Sequence, residues 1–379
     1  MTVRIVIAPD KFKGSLTAPD VALFLEAGLH SVDPGIVVDR APVADGGEGT
    51  LDAAVGSGFT RQVATVTGPT GLPLRAGFAV RGPEAVIEMA AASGLAALPD
   101  GVTDALRATS RGTGELIAAA LSLGCTQIIL GIGGSAGTDG GSGLLSGLGA
   151  RLLDDAGAVL PDGGGALARL AKADLSGLDP RLSSARITLA SDVDNPLLGA
   201  SGAAAVFAPQ KGAGPADVDL LESALQNYSR VLSAEIGAIA LTATEAPGSG
   251  AAGGVGYAVL AVLGGERRAG IDVVLEFTGL HTRVDGAQLV ITGEGCLDRQ
   301  SLGGKAPVGV ARAAARAGVP TIAVCGQSTL TPDELSGAGF DHTYALTDLE
   351  PDTARCMSEP GALLTRIGAL IATRLGDDR

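Results

Sequence analysis

The first apolar run of the chain is RIVIAPD, residues 4–10. A short apolar run closed by a proline and an aspartate is typical of a buried strand that leads into a loop. A helix is predicted directly after it, because Thr17 and Asp20 have capping-box spacing and apolar side chains then recur at helical spacing. The start of the chain therefore predicts a βα unit.

The last third of the chain returns to the same alternation. Strands are predicted at residues 288–292, 319–324 and 343–346, with a helix between the first two. The middle of the chain differs, because residues 58–80 hold two β-rich runs around a GPTG turn, which predicts an antiparallel hairpin. Regular βα units are thus expected at the two chain ends.

This pattern predicts an α/β fold with two domains. At about 150 residues per domain, 379 residues allow two or three. Residues 1–66 and 286–379 are expected to form a discontinuous, Rossmann-like parallel-sheet domain, and residues 67–285 an inserted second α/β domain. The active site is expected in the cleft between them, since ligands of open α/β sheets bind outside the carboxyl ends of the strands.

Composition and charge exclude several classes of protein. The chain has 27 Lys and Arg against 41 Asp and Glu, a net charge of −14, and a basic nucleic-acid-binding surface is not expected. With 46% hydrophobic and 18% charged residues, a disordered chain is not expected either. The four cysteines and three histidines lack the spacing of a zinc site or a disulfide framework.

Two uncharged stretches, residues 116–138 and 246–265, are long enough to raise the question of a membrane span. Glycines interrupt both, so a helix–turn–strand and a loop–helix are predicted instead. The N-terminal apolar run is too short for a signal peptide. A cytoplasmic protein without a membrane partner is expected.

Two glycine patterns resemble dinucleotide-binding fingerprints. Residues 248–253 fit GxGxxG, but Pro247 and a mixed polar stretch precede them where the fingerprint needs a buried strand. Residues 131–136 do follow a predicted strand, yet further glycines delay the helix that should receive the pyrophosphate. Dinucleotide binding is a minor alternative at both places.

Two further patterns point to other enzymes. Residues 133–137, GGSAG, fit GxSxG with Ser135 as nucleophile and His342 as a candidate base, but a nucleophile elbow needs a helix at the serine and more glycines follow. The Gly-Lys step at Gly304 is followed by Ala306 and lacks the upstream glycine of a Walker A motif. A serine hydrolase stays a minor alternative.

Glycine-rich loops that carry charged residues remain, and several of them follow predicted strands. Glycine lets backbone N–H groups approach phosphate oxygens, lysine neutralises them, and carboxylates bind Mg²⁺ or accept a hydroxyl proton. These are the groups that phosphoryl transfer requires. The loops are residues 10–15 with Lys11 and Lys13, 45–50 with Asp45 and Glu48, 133–143 with Asp139, 192–195 with Asp192 and Asp194, 210–212 with Lys211, and 293–305 with Glu294, Asp298, Arg299 and Lys305.

Each loop taken alone is more often only a turn. Asp139 could form an Asx turn, Asp192 and Asp194 could cap a helix, and Lys13 and Lys211 could be solvated surface lysines. The number of such loops in one chain favours the functional interpretation.

At these loops, and over nearly its whole length, the chain resembles the bacterial type I glycerate kinases. Lys11 stands where that family usually has Ser, and Gly137-Thr138 where it usually has Thr-Asn. The matching stretches are residues 8–16 (APDKFKGSL), 44–50 (ADGGEGT), 87–95 (IEMAAASGL), 112–117 (GTGELI), 133–136 (GGSA) with 139–141 (DGG), 191–193 (SDV) with 195–197 (NPL), 209–212 (PQKG), 292–295 (TGEG), Asp298, and 304–311 (GKAPVGVA).

The resemblance implies a two-domain α/β kinase that uses ATP and Mg²⁺ to phosphorylate D-glycerate, at the 2- or the 3-hydroxyl, in the catabolism of glycerate, glyoxylate or glucarate. A monomer or homodimer is expected. A kinase for another small hydroxy acid is the main alternative, and a non-catalytic nucleotide-binding protein is a further one.

The loops and the resemblance together lead to a hypothesis for the site. Asp192 is the expected base, or else a magnesium ligand, while Lys211 and Lys305 would offset the charge of the γ-phosphate. D-Glycerate is expected near Lys13, Ser15 and the loop at 133–141. The predicted catalytic residues are Asp192, Lys13, Lys211 and Lys305; the predicted substrate- and phosphate-binding residues are Ser15, Asp10, Gly133, Gly134, Ser135, Asp139, Gly293, Gly295, Asp298 and Gly304; the predicted metal ligands are Asp45, Glu48 and Glu294.

Overall fold

The computed structural model describes residues 3–377. The chain divides into two compact units. The first contains the chain up to Asp45, the segment Asp52–Gly58 and the chain from Ile271 onward, and the second contains Gly46–Leu51 and Phe59–Gly270. Both chain ends therefore belong to one unit.

Residues 3–377 form an α/β structure. The strands are β1 (Arg4–Pro9), β2 (Val37–Arg40), β3 (Thr60–Thr67), β4 (Pro73–Arg81), β5 (Glu84–Glu88), β6 (Gln127–Gly131), β7 (Arg151–Leu153), β8 (Lys172–Asp174), β9 (Arg186–Ala190), β10 (Glu266–Arg268), β11 (Leu289–Leu297), β12 (Thr321–Ser328) and β13 (His342–Ala345). The helices are α1 (Ala18–Val32), α2 (Thr50–Gly56), α3 (Ala90–Ser93), α4 (Arg111–Ser122), α5 (Ser142–Gly147), α6 (Pro215–Ile236), α7 (Ile239–Thr242), α8 (Ala251–Ala261), α9 (Gly270–Phe277), α10 (Leu280–Arg283), α11 (Ala306–Arg316), α12 (Pro332–Gly337), α13 (Leu346–Leu349), α14 (Thr353–Ser358) and α15 (Pro360–Asp377).

The first unit is built on a five-stranded parallel sheet in the order β13-β12-β11-β1-β2. β1 lies between β2 and β11, so the N-terminal strand pairs with one from the last third of the chain. Ile5 and Ile7 of β1 are fully buried and pack with apolar residues of α1 and α15. The predicted α/β class with parallel strands is confirmed.

Local signals account for the first helix. The Thr17 side chain accepts a hydrogen bond from the backbone N–H of Asp20, a group that has no acceptor within the helix. Pro19 lies in the first turn, where its missing N–H is not needed. Leu25 and Leu29 then point into the core.

One predicted strand end is wrong. The strand predicted at 288–292 continues through Gly293, Glu294 and Gly295 to Leu297, because Cys296 and Leu297 still pair with Gln327 and Ser328 of β12. Glu294 therefore lies on a strand rather than in a loop.

The second unit is built on a six-stranded mixed sheet in the order β10-β9-β6-β5-β4-β3. β3 and β4 form the predicted antiparallel hairpin, paired from Thr60 with Val80 to Thr67 with Pro73. The sequence placed residues 1–66 with the chain ends, but pairing along the whole of β3 puts residues 59–66 in the second unit. Likewise, residues 271–285, predicted in the inserted domain, lie in the first unit.

The two uncharged stretches also have the predicted structure. Residues 116–138 contain the end of α4, the strand β6 and a loop, and residues 246–265 contain a loop followed by α8. Within residues 3–377, no helix has the length and apolar character needed to cross a membrane.

The contact between helices α1 and α15 of the first unit depends on glycine. A Cβ atom on Gly368 of α15 would lie 2.3 Å from the carbonyl oxygen of Leu25, and one on Gly28 of α1 would lie 2.1 Å from that of Thr365. Both separations are shorter than any real contact, so α1 and α15 pack backbone against backbone.

We expect Gly368→Ala to destabilise the protein by about 2 kcal/mol or more, because the added methyl group must push two helices apart. Gly376→Ala, on the same helix with open space around it, is the control, and the higher helix propensity of alanine should raise stability by up to about 1 kcal/mol. Denaturant unfolding measures both. Equal effects of the two substitutions would contradict the packing argument.

Candidate active site

Three acidic side chains come together at the carboxyl edge of the first sheet. Asp10 directly follows β1, Asp45 lies beyond β2, and Glu294 lies on β11, so neighbouring parallel strands bring them to one edge. Asp10 is buried, and its Oδ1 accepts a hydrogen bond of 2.6 Å from the backbone N–H of Lys11.

The electrostatics of this acidic cluster show a shortage of positive charge. Burial raises the pKa of Asp10 to about 7; Lys11 opposes this shift, and the carboxylates of Asp45 and Glu294 add to it. Burial also raises the pKa of Glu294, although Ser301 and Lys305 act against it. The Oε1 atom of Glu294 is buried without a hydrogen-bond partner. A cation would suit this arrangement.

The loop that carries Lys13 and Ser15 lies against β11. Backbone hydrogen bonds between Phe12 and Leu16 close the loop, and a Cβ atom on Gly295 would lie 3.2 Å from the backbone nitrogen of Lys13. Lys13 is exposed. The Ser15 hydroxyl donates to the Met357 carbonyl oxygen at 3.2 Å, so α14 helps to hold this loop.

The segment after β11 leads to the N-terminus of α11. Asp298 accepts hydrogen bonds from the backbone N–H groups of Gln300 and Ser301 at 2.8 and 3.2 Å, which is a local turn contact. Gly304 adopts φ +103° and Lys305 occupies the N-cap position of α11. A helix N-terminus next to a lysine favours an anion.

In the second unit, Asp139 is the centre of a buried hydrogen-bond network. Its carboxylate accepts from the backbone N–H and hydroxyl of Ser110 and from the backbone N–H groups of Gly141 and Gly143, at 2.8 to 3.2 Å. Burial raises its pKa, and these hydrogen bonds oppose the shift. The contact with Gly141 is the Asx turn predicted for Asp139, and the other hydrogen bonds link its carboxylate to Ser110 and Gly143.

Lys211 lies in the same unit and is 1% exposed. Its Nζ atom donates to the Ser135 hydroxyl at 2.7 Å and to the Gly137 carbonyl oxygen. Burial lowers its pKa to about 7, with the charge of Asp139 acting in the opposite direction. The interpretation of Lys211 as a solvated surface lysine is wrong.

Asp192 and Asp194 occupy an exposed loop after β9. The Oδ1 atom of Asp192 accepts from the backbone N–H of Gly270 at 2.8 Å. Asp194 forms an ion pair of 2.7 Å with Arg267 while 77% of its side chain is exposed. Asp192 thus has a fixed carboxylate at the surface of the second unit.

Glu48 is exposed on the glycine loop that precedes α2. The backbone N–H groups of Gly49 and Leu51 in this loop donate to the buried carboxylate of Glu88, at 3.2 and 3.1 Å. A Cβ atom on Gly133 would lie 2.7 Å from the Cα atom of Gly47, so the two glycine loops touch. Sequence reasoning assigned no role to Glu88; an acidic residue at the end of an apolar strand was the available signal.

The other glycine motifs have structural partners. No helix begins at Ser135, since α5 begins at Ser142, and the GxSxG pattern is not a nucleophile elbow. Residues 248–253 lead into α8 without a preceding strand, and a Cβ atom on Gly253 would lie 2.2 Å from the Gly137 carbonyl oxygen. This second glycine motif packs beneath the loop that carries Ser135.

The predicted site residues divide between the two units. Ser110 and Glu88, which hold two of these loops, are the residues that the prediction missed. The first unit contains Asp10, Lys13, Ser15, Asp45, Gly293, Glu294, Gly295, Asp298, Gly304 and Lys305, and the second contains Glu48, Gly133, Gly134, Ser135, Asp139, Asp192 and Lys211.

Known proteins are similar to this chain in both sequence and fold. The profile described as the Glycerate kinase family matches residues 5–376. A glycerate kinase of Bacillus subtilis (strain 168) is 46% identical over 347 residues, 91% of this chain and 90% of that protein. A glycerate 2-kinase of Escherichia coli (strain K12) is 44% identical over 348 residues, with 91% and 90% covered. A crystal structure from Salmonella typhimurium LT2, described as glycerate kinase 2, has a TM-score of 0.86 and 40% identity, covering 100% of this chain and 99% of that one.

The Asp10 carboxyl should make stability depend on pH between about 4 and 7. Its pKa in the folded chain, about 7, lies above the ordinary 3.8, so in this interval the folded state binds more protons than the unfolded state. The free energy of unfolding therefore falls as the pH rises, by up to about 4 kcal/mol, and is then constant above pH 7 with respect to this group.

Asp10→Asn removes this titration, so its thermal midpoint relative to the unsubstituted protein should be higher at pH 8 than at pH 5. Thermal unfolding at the two pH values measures the difference. Asp285→Asn, which removes an exposed acidic side chain from the same unit, is the control. A difference for Asp10→Asn that stays constant with pH would refute the assignment.

Proposed function

The chain belongs to the glycerate kinase family, and on that premise we propose that it transfers the γ-phosphoryl group of ATP to the 2-hydroxyl group of D-glycerate. The observation that carries the proposal is the extent of the match, since residues 5–376 include every loop with a candidate residue. The resemblance predicted from the loop motifs is thereby confirmed. Phosphorylation of glycerate by a kinase follows from the family, and the name of the Escherichia coli relative, glycerate 2-kinase, supports the 2-position.

A magnesium ion suits the acidic cluster of the first unit. Mg²⁺ prefers carboxylate oxygens, and the unpartnered Oε1 atom of Glu294 and the raised pKa of Asp10 both favour a nearby cation. Within residues 3–377, no three His, Cys, Asp or Glu side chains converge closely enough to hold a metal ion alone. This fits Mg²⁺, which usually keeps several waters and takes phosphate oxygens as further ligands.

We assign Asp45 and Glu294 as protein ligands of this ion, with Asp10 beside them. The metal role predicted for Glu48, which belongs to the second unit, stays a prediction. Bound Mg²⁺ would neutralise charge on the phosphate oxygens of the nucleotide. The carboxylates of the chain would hold the ion, and its positive charge would compensate their negative charge.

Asp192 is our candidate for the base. Its fixed, exposed carboxylate accepts the proton of the glycerate hydroxyl while the oxygen of that hydroxyl forms a bond to the γ-phosphorus and the bond from phosphorus to the ADP oxygen breaks. The hydrogen bond from the Gly270 backbone fixes the orientation of this carboxylate.

Cations and backbone groups would position the two substrates. Lys305 at the N-terminus of α11, with Gly304 before it, suits phosphate, and Lys13 and Ser15 suit the carboxylate of glycerate. The Gly293 carbonyl oxygen accepts a hydrogen bond of 2.8 Å from the Asp10 backbone N–H, and Gly295 lets the Lys13 segment lie close to β11. Gly133 and Gly134, in the second unit, stay predicted glycerate-binding residues.

³¹P NMR of the protein incubated with MgATP and D-glycerate tests the proposed reaction. We expect a phosphomonoester signal that coincides with authentic 2-phosphoglycerate as ATP is converted to ADP. A signal of 3-phosphoglycerate would overturn the assignment of position alone. Intact ATP with D-glycerate, followed by turnover of another hydroxy acid, would replace the substrate.

Asp192→Asn should lower kcat by about 100- to 10,000-fold, the usual contribution of a general base. The asparagine oxygen can still accept from Gly270, so the thermal midpoint should change by less than about 2 °C. Asp194→Asn, in the same loop, loses only a largely exposed ion pair and should keep nearly full turnover. Steady-state kinetics with thermal unfolding measure both variants, and a normal kcat in Asp192→Asn would dismiss this base.

A further inference from the structure

Lys211 is held rigidly at its backbone. It ends a short turn, Pro209–Lys211, in which its N–H donates to the Ala208 carbonyl oxygen at 2.9 Å. Gly212 follows in the left-handed region at φ +92°, and a Cβ atom there would lie 2.4 Å from the Thr103 hydroxyl oxygen. The direction in which the Lys211 side chain leaves the turn is therefore fixed.

The side-chain amine of Lys211 contacts the glycine-rich loop at residues 133–137. Nζ donates to Ser135 Oγ at 2.7 Å and to the Gly137 carbonyl oxygen. Backbone hydrogen bonds hold the same loop from another segment, where Leu95 N–H donates to Gly134 and Ala136 N–H donates to Ser93, both at 2.9 Å. Gly134 stays exposed between these attachments, at φ +73°.

Burial of the Lys211 amine costs more free energy than a residue with only a packing role would require. Asp139, the acidic group within electrostatic reach of Lys211, has its carboxylate engaged by Ser110, Gly141 and Gly143. Burial accordingly lowers the pKa of Lys211 to about 7. An apolar side chain of similar volume would pack there at lower cost, so packing alone does not account for the lysine.

We propose that Lys211 is a positioning residue for D-glycerate, which fixes the loop at residues 133–137 through Ser135 and Gly137 and does not itself touch the transferred phosphate. The inference rests on the proposed function, because it takes this loop as the place where glycerate binds. A side chain that is 1% exposed, with its amine directed at two loop atoms, acts on a ligand through those atoms.

This role differs measurably from contact with the γ-phosphate. Loss of a loop support weakens glycerate binding and raises its KM, whereas loss of a charge that stabilises the transition state lowers kcat with KM unchanged. If Lys211 acts through Ser135, loss of both side chains should also cost no more than loss of Lys211 alone.

The test compares Lys211→Met, Ser135→Ala and the double variant, with Lys172→Met as the control for loss of an exposed lysine in the same unit. Steady-state kinetics give kcat and KM for each substrate, and calorimetry gives the Kd of D-glycerate without turnover. We expect Lys211→Met to raise KM and Kd for glycerate at least tenfold and to change KM for ATP less than threefold. Ser135→Ala should change glycerate binding in the same direction, and the double variant should match Lys211→Met.

Three results would overturn the proposal: a lower kcat with unchanged glycerate Kd in Lys211→Met, additive effects in the double variant, or normal glycerate binding in Ser135→Ala. The last result is decisive even where Lys211→Met does not fold. Failure of the proposed function is a separate result, because the unsubstituted protein would then form no phosphoglycerate.

Discussion

The buried carboxylate of Asp139 is the interaction on which the second unit's loops depend. A charge removed from water needs several donors to compensate for lost hydration, and here Ser110, Gly141 and Gly143 supply them. Ser110 directly precedes α4, and Gly141 directly precedes α5. The Ser110 hydroxyl also accepts from Leu144 at 2.9 Å. One carboxylate therefore sets where two helices begin, and with them the course of the loop between β6 and α5.

The high glycine content follows from how closely these loops stack. The N–H of Gly140 donates to the Gly253 carbonyl oxygen at 2.9 Å, and a side chain on Gly254 would meet the Cα atom of Gly140 at 2.7 Å. Loops that touch backbone to backbone leave no room for Cβ atoms and satisfy their polar groups with each other. Of the 58 glycines in the chain, those at 248–254 thus serve packing, which explains a fingerprint-like pattern without a nucleotide-binding strand.

Much of the fold could be predicted because its signals are local. Residues that are neighbours in the sequence determine both the N-cap of α1 and the hairpin of β3 and β4. The extension of β11 through Glu294 was missed, because its cause is pairing with β12 and not its own pattern. For the same reason the sequence showed that Lys211 and Asp139 are charged but not that they are buried, since Ser135 and Ser110 are far away along the chain.

The buried carboxylates of the two units differ in how many protein donors they accept from. This difference indicates which acids are available for a cation. A carboxylate whose lone pairs are taken by protein donors has none left for a metal ion, and Asp139 is in that state. In the acidic cluster of the first unit, by contrast, Glu294 Oε1 has no hydrogen-bond partner. Asp10 accepts a hydrogen bond from the Lys11 backbone, and burial together with the neighbouring acids raises its pKa. Folding alone leaves this cluster under-compensated, and a divalent cation would supply the missing positive charge. The buried negative charge that destabilises the protein without a metal ion is thus the charge that would bind the ion.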